Sequence, residues 1–248
     1  MTEKEPEKKE TSSNPPVPPP VVENGVIKEN HAVPEYLKSV YDSRYFHPLL
    51  SRIFNDEWTA AAGSFFFGGK LIKTVTNEIM ENNDVLQLGI AAANPEKEIA
   101  QKLNSKGRYH IEDISSQRIE MAQPRVSAWL NVTFKERDFS IPNDMRYDVV
   151  IGYFVLHELP DSRKRALLKR AFNALKPNGK MIFVDYDFPK KYHPLRYPLK
   201  MFNRLYEPFA ESLWYNEIQD FAPKTDKLIW DKKSFFGNMY QCVIAQRR

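Results

Sequence analysis

Between residues 84 and 187 short apolar runs alternate with amphipathic stretches, and nothing else in the chain limits its fold as strongly. Val85–Leu88, "YHIEDI", "VTFKERD", "YDVVIGYF" and "KMIFVD" read as five strands. "YDVVIGYF" is nearly all apolar, as strands covered on both faces are. The stretches between them carry helix signals. Asn94 is placed to cap a helix that opens on Pro95, with Glu96 and Glu98 in its first turn. Ser115 can cap the next. Asp161 starts a helix carrying Leu167, Leu168, Ala171, Phe172 and Leu175, and "KPNG" ends it with Gly179 past the C-terminus. Strands and helices in strict alternation imply a mostly parallel sheet with helices on both faces.

The flanks differ. "DKLIWDKKSFFGNMYQCVIAQRR" holds two strands too close for a helical crossover, so an antiparallel pair is expected. Residues 188–223, between the fifth strand and this pair, form an insert suited to covering a substrate. Residues 34–83 follow a helical pattern and form an N-terminal helical cap, with Leu49, Leu50, Ile53 and Phe54 at helical spacing. Residues 1–33 are rich in Pro, Glu and Lys, and the reading is a disordered tail. The α/β domain then spans 84–248.

Composition narrows the partners. The 248 residues carry a net charge of +4. Residues 1–30 hold four Lys and six Glu, leaving the remainder more basic still. A basic surface suits an anionic partner such as a membrane, and no nucleic-acid module is present. The single cysteine, Cys242, rules out an internal disulfide and a thiolate zinc cage. No apolar run reaches the roughly 18–20 residues that span a bilayer. The N-terminus has the features of neither a secretory signal nor a transit peptide.

In an open parallel sheet, ligands bind beyond the carboxyl ends of the strands. The loop after the first strand, "GIAAAN", has Gly89 but alanines at 91, 92 and 93, so the dinucleotide pattern G-x-G-x-x-G is absent. Methyl groups there hinder close approach of a pyrophosphate, which argues against NAD and FAD. S-adenosylmethionine carries no phosphate, and such a loop can tolerate it. Asp113, 24 residues after Gly89, ends the second strand where an acid can bind ribose hydroxyls. Glu112 points to the other face. Asp138, after the third strand, is placed to accept from an adenine amino group.

With these residues in place, the order resembles the class I S-adenosylmethionine-dependent methyltransferases. Gly89, Asp113, Asp138 and "LKPNGKMIFVD" match that pattern; Gln87, Ala91, Ala93 and Asn178 depart from it. The resemblance implies a Rossmann-like fold with a mostly parallel seven-stranded sheet, and a cofactor site at Gln87, Gly89, Ala91, Asp113, Asp138 and Phe139. A narrower resemblance rests on "YDSRYFHPLLSRIFNDEW", "FVLHELP", "VDYDFPKKYHPLRYP", "LYEPFAESLWYNEI" and "FFGNMYQCVI". Together they are similar to the rhodoquinone biosynthesis methyltransferase-like family. That family implies conversion of ubiquinone to rhodoquinone, an amino group replacing a ring methoxy group. S-adenosylmethionine is then the nitrogen source and manganese assists. The altered loop is expected to rearrange the amino-acid end of the cofactor.

His157 and Glu158 in "LHELP", with Tyr186 and Asp187 after the fifth strand, are the candidate catalytic groups. Oxygen and imidazole ligands suit manganese, and Asp185, Asp187 and His193 are the candidates to hold it. The resemblance makes Tyr41, Tyr45 and His47 candidate quinone contacts. Residues 188–206 hold five Lys or Arg and no acid, interleaved with aromatic and aliphatic groups, a composition suited to an anionic bilayer surface. A lipid-borne quinone implies a peripheral enzyme at the cytoplasmic face of an inner membrane, or in the mitochondrion of a eukaryotic host. Two other readings compete: a conventional methyltransferase acting on a quinone, phenol or lipid, and a non-catalytic binding protein of the same fold.

Overall fold

A computed structural model of the chain describes residues 21–23, 26–28, 68–90, 95–139, 141 and 144–248. The five expected strands of the alternating region are β3 (Val85–Leu88), β4 (Tyr109–Asp113), β5 (Val132–Glu136), β6 (Tyr147–Tyr153) and β7 (Leu175–Tyr186). They pair in parallel in the order β5-β4-β3-β6-β7. The closing pair, β8 (Leu228–Phe235) and β9 (Tyr240–Arg247), is antiparallel, and β9 also runs antiparallel to β7.

The sheet has nine strands, not seven. The extra two come from the stretch read as a disordered tail. β1 (Val21–Glu23) pairs antiparallel with β2 (Val26–Lys28), and β2 lies parallel to β5. Val26 is buried and joins the core, so this stretch does contribute apolar surface to it. The rest of 1–33 lies outside the described residues.

Alternation along each strand feeds two cores. On β3, Val85 enters one apolar cluster while Leu86 and Leu88 enter the other. The first cluster packs under helix α1 (residues 68–77), α2 (Glu96–Leu103) and α3 (Ser116–Ala122), through Leu71, Val75, Ile99, Leu103 and Ile119. The second packs under α4 (Asp161–Asn173), through Leu167, Leu168 and Ala171. The insert is helical: α5 (Arg196–Tyr206), α6 (Ser212–Tyr215) and a 3-10 turn at Ile218–Phe221, with Leu213, Ile218 and Phe221 joining the second core. Of the N-terminal cap, only the segment from residue 68 is described.

Two helix ends differ from expectation. Pro95 occupies the N-cap position of α2, which starts at Glu96. "KPNG" is drawn into the start of β7, because Leu175 already pairs with Tyr147; the left-handed turn residue is Asn178, at φ 60°. Ser115 caps α3 as expected, accepting from the Arg118 amide at 3.4 Å.

Candidate active site

The strand order reverses at β3, which lies between β4 and β6. The carboxyl ends of β3 to β7 therefore open onto one cleft. Gly89 turns the chain out of β3 at φ +88°, a conformation that favours glycine. An added Cβ would also stand 2.6 Å from Val155 Cγ2, so glycine is required twice over. The Gly89 amide donates to the Glu112 carbonyl oxygen at 2.8 Å.

Beneath this turn sits Gln87, fully buried. Its amide donates to the Gly89 carbonyl at 2.9 Å and to Glu96 Oε1 at 2.8 Å, while the Tyr109 hydroxyl donates to its side-chain oxygen. Gln87 was expected among the cofactor-binding residues, and in the structure its side chain is taken up by these three partners. Gln87 faces inward on β3 and sets the loop from below. Burial raises the Glu96 carboxyl above its usual range, which favours the neutral acid in that network. Ala91 lies outside the described residues, as do Tyr41, Tyr45 and His47.

Asp113 closes the other side of the turn. One carboxylate oxygen accepts from the Ile90 amide at 2.7 Å and the other from the Ser115 amide at 2.7 Å. Its burial raises its pKa, against the pull of the Arg118 guanidinium, 4.0 Å away. Each carboxylate oxygen keeps a further acceptor position, so Asp113 fits the ribose hydroxyls it was assigned. Glu112 faces the opposite way, as strand alternation requires, and is buried against Arg170 at 2.9 Å. Asp138 follows β5, with both oxygens on Arg163 Nη2 at 2.6 and 2.7 Å. The Arg163 guanidinium also lies 4.6 Å from the Phe139 ring centroid. Gly89, Asp113, Asp138 and Phe139 thus all stand at or just past the carboxyl ends of β3 to β5, the edge where adenosine contacts were expected.

Arg118 crosses this row. It donates to the Ile90 carbonyl at 3.2 Å and to Glu158 at 2.7 Å. Glu158 is therefore tied to α3 on the adenosine side.

The other half of the cleft is built around His157. Its Nδ1 is 3.0 Å from Asp185 Oδ1, and its Nε2 is 3.9 Å from Glu207 Oε1. Asp185 is fully buried and also accepts from the Leu156 amide at 2.7 Å. Burial alone would lower the imidazole's pKa; the Asp185 and Glu207 carboxylates outweigh it and raise the pKa to about 9. The two carboxylates thus favour the protonated ring. Aromatic rings wall it in. Tyr186 lies 4.6 Å away centroid to centroid and Phe154 6.2 Å; Tyr240 lies 5.5 Å from Phe154 and 6.0 Å from Tyr186. Phe154 adopts φ +51°, a strained value for a bulky residue.

His157 and Tyr186, both expected from sequence, come together here. Asp187 does not join them. It accepts from Ser234 at 2.6 Å and from Lys232 at 3.2 Å, on the side of β8. The three residues expected to hold manganese likewise have other partners. Asp185 is committed to His157 and to backbone amides, Asp187 to β8, and His193 Nδ1 accepts from the Leu195 amide at 3.2 Å. Among the described residues, no group of three or more His, Cys, Asp or Glu side chains is disposed to hold a metal ion. As placed, these residues do not fit manganese.

Sequence reasoning missed Glu207, Arg118 and the partnership of Asp185 with His157. Glu207 did leave a signal, since it is the first acid after the basic run 188–206.

Comparison with known proteins agrees with this geometry. Residues 86–181 match the methyltransferase domain model. Over that stretch, 96 of the 248 residues, the chain is similar to the methyltransferase domain. That domain contains the Gly89 turn, Asp113, Asp138 and His157, whereas Asp185 and Glu207 lie beyond its matched end. An uncharacterized methyltransferase of Anoxybacillus flavithermus is 27% identical over 121 residues, covering 47% of this chain and 54% of that protein. The chain thus spans about half the length of that relative. Two solved structures share the fold. The pyocyanin biosynthetic protein PhzM has a TM-score of 0.61 at 13% identity, with 84% of this chain and 62% of PhzM covered. Human N-acetylserotonin methyltransferase, solved with S-adenosylmethionine, has a TM-score of 0.52 at 18% identity, with 86% and 65% covered.

Proposed function

We propose that this chain is an S-adenosylmethionine-dependent transferase acting on a quinone ring. Its reaction is replacement of a methoxy group of ubiquinone by an amino group, giving rhodoquinone: the ring gains a bond to nitrogen, the methoxy group leaves as methanol, and the bond between that nitrogen and the donor's amino-acid carbon is the second one broken. The observation that carries this reading is the placement of His157 between two carboxylates, Asp185 Oδ1 at 3.0 Å and Glu207 Oε1 at 3.9 Å, which favours the protonated ring. Methyl transfer to a phenol calls for a group that accepts the phenol's proton, and an imidazolium held between Asp185 and Glu207 is in the wrong state for that. Attack of nitrogen on a quinone instead moves electron density onto a ring carbonyl oxygen. A buried imidazolium donates a hydrogen bond to such an oxygen and stabilises the charge developing there.

The remaining residues follow from their places. S-adenosylmethionine supplies the amino group when bound. Asp113 holds its ribose, Asp138 its adenine amino group, and the Gly89 turn its amino-acid end. Phe154, Tyr186 and Tyr240 offer ring faces to a planar acceptor. Asp185 fixes the imidazole through Nδ1, and Nε2 stands 3.9 Å from Glu207 Oε1, the edge at which an acceptor oxygen would have to meet it. The narrower family resemblance supports the same reading. "FVLHELP", "VDYDFPKKYHPLRYP", "LYEPFAESLWYNEI" and "FFGNMYQCVI" are far apart in sequence, and they supply His157, Asp185, Glu207 and Tyr240 to one cluster. A second reading, methyl transfer to a quinone, phenol or lipid, is favoured by the methyltransferase-domain match.

One incubation separates them. The protein is given short-chain ubiquinone and S-adenosylmethionine labelled at the amino nitrogen, with and without manganese, and the quinone is weighed by mass spectrometry. Label in a product lacking one methoxy group is the expected result. An unlabelled product heavier by one methyl group overturns amination in favour of methyl transfer. An unchanged quinone, with cofactor binding verified by calorimetry, makes the chain a binding protein.

A further inference from the structure

We propose that the outer face of α5 and the turn before it dock on an anionic lipid bilayer. The inference deepens the proposed function by naming how a lipid-borne acceptor is reached. It rests on that reading for its purpose but not for its physical basis.

On α5, Tyr197, Lys200, Met201 and Arg204 recur at i, i+3, i+4 and i+7, and all four are exposed. The opposite side turns inward through Leu199, half-buried, and Asn203, buried. Tyr197 is 75% exposed and Met201 67%. The preceding turn adds Tyr192 at 90% and Leu195 at 44%, beside exposed Lys190 and Lys191. Single exposed apolar residues are ordinary. Four within ten residues, among four exposed cations and no acid, are a patch of one charge sign.

Charge complementarity selects the occupant. A protein partner would meet a rim of mixed charge, and this rim has only cations. Aromatic and aliphatic side chains that enter the headgroup layer, flanked by Lys and Arg that meet anionic headgroups, suit a bilayer surface. The helix would lie on the membrane: no described helix is long and apolar enough to cross one.

The patch is held firmly against the domain. The Arg196 guanidinium lies 4.3 Å from the Phe188 ring centroid, and that ring packs on Trp214 at 5.4 Å. The Lys190 amide donates to the Gly237 carbonyl at 3.0 Å, and the His193 ring fills the space where Gly237 lacks a side chain. At its other end α5 runs directly into Glu207, beside His157. The docking face and the reacting groups are thus joined by one helix about 16 Å long.

The test is co-sedimentation of the full chain with vesicles of phosphatidylcholine alone or with 30% phosphatidylglycerol (about 0.05 and 0.5 M salt in parallel). Two double variants are compared, Lys190→Glu with Lys191→Glu, and Tyr197→Ser with Met201→Ser, each checked for native circular dichroism. The wild type is expected to bind only the anionic vesicles and to be released by salt. The charge variant should bind on the order of 30-fold more weakly. Turnover of a soluble short-chain quinone by both variants should match the wild type, while turnover of a long-chain quinone in vesicles should fall. Absence of wild-type binding at low salt overturns the proposal. So does undiminished binding by both variants, or a patch-dependent dimer in sedimentation equilibrium. If vesicle binding behaves as expected but no quinone is modified, the acceptor assignment fails and the docking surface stands.

Discussion

At the scale of single residues, the His157–Asp185 pair governs behaviour with pH. The ordinary imidazole pKa is 6.5, and here it is raised to about 9. The folded state therefore binds this proton more tightly than the unfolded chain does. The resulting stabilisation is fully present below about pH 6.5 and is lost as pH rises through about 9. Melting temperature should fall across that window. Asp185→Asn keeps an acceptor for the Leu156 amide but removes the charge facing Nδ1, so it should flatten the dependence. Quinone turnover in the wild type should decline above about pH 9, and in Asp185→Asn the decline should begin at lower pH. Calorimetric melts and rate profiles from pH 6 to 10 measure both. A wild-type profile that rises through pH 9 would make neutral His157 the active form and return the site to proton abstraction. His157 was legible in sequence from its place after an apolar strand. Its partner was not, because alternation tells which face Asp185 takes but not which loop folds down upon it.

At the scale of elements, the alternating core could be read because each strand and helix carries its own signal. "YDVVIGYF" declares a doubly buried strand and Ser115 declares a helix start. The edge was misread. Pro-rich composition masked "VVENGVIK", in which Asn-Gly between apolar pairs is a strong hairpin signal. β2 then extends the sheet beside β5, with Val26 opposite Phe134. Replacing Val26 with Asp should cost at least about 1.5–3 kcal/mol, the worth of a buried valine. In a chain of this size that lowers the melting temperature by roughly 3–10 °C. Deleting residues 1–28 should cause a similar loss and expose the edge of β5 to self-association. Thermal melts and light scattering on both proteins check this. Unchanged melts in both would mean that the hairpin adds nothing to the domain's stability.

At the scale of the whole molecule, the site depends on how the insert is fastened to the domain. This is the part that sequence patterns carry least, since Glu207 reaches His157 across fifty residues of chain and only the assembled fold brings them together. The fastening is Lys164. Its side chain is fully buried on α4, and burial lowers its pKa against the pull of Asp161. Its ammonium donates to Asp161 at 3.1 Å, to the Phe209 carbonyl at 2.8 Å and to Ser212 Oγ at 2.5 Å. Phe209 and Ser212 both follow Glu207 by a few residues, so one lysine sets where that carboxylate stands. Lys164→Met preserves the apolar stem and deletes the three donors. The Phe209 carbonyl keeps the Ser212 hydroxyl as a donor at 3.1 Å, so the cost comes from losing the ammonium's hydrogen bonds and its pairing with Asp161, about 1–3 kcal/mol. The loss should appear as faster proteolysis within residues 188–223, not as a looser sheet. Cofactor affinity should stay within about twofold of wild type, because Gly89, Asp113 and Asp138 touch none of these groups, while quinone turnover should drop at least tenfold as Glu207 and the wall it supports lose their position. Equal losses in cofactor affinity and turnover would mean that Lys164 supports the domain as a whole; unchanged proteolysis and turnover would mean that the insert is held by its apolar contacts through Leu213, Ile218 and Phe221 alone.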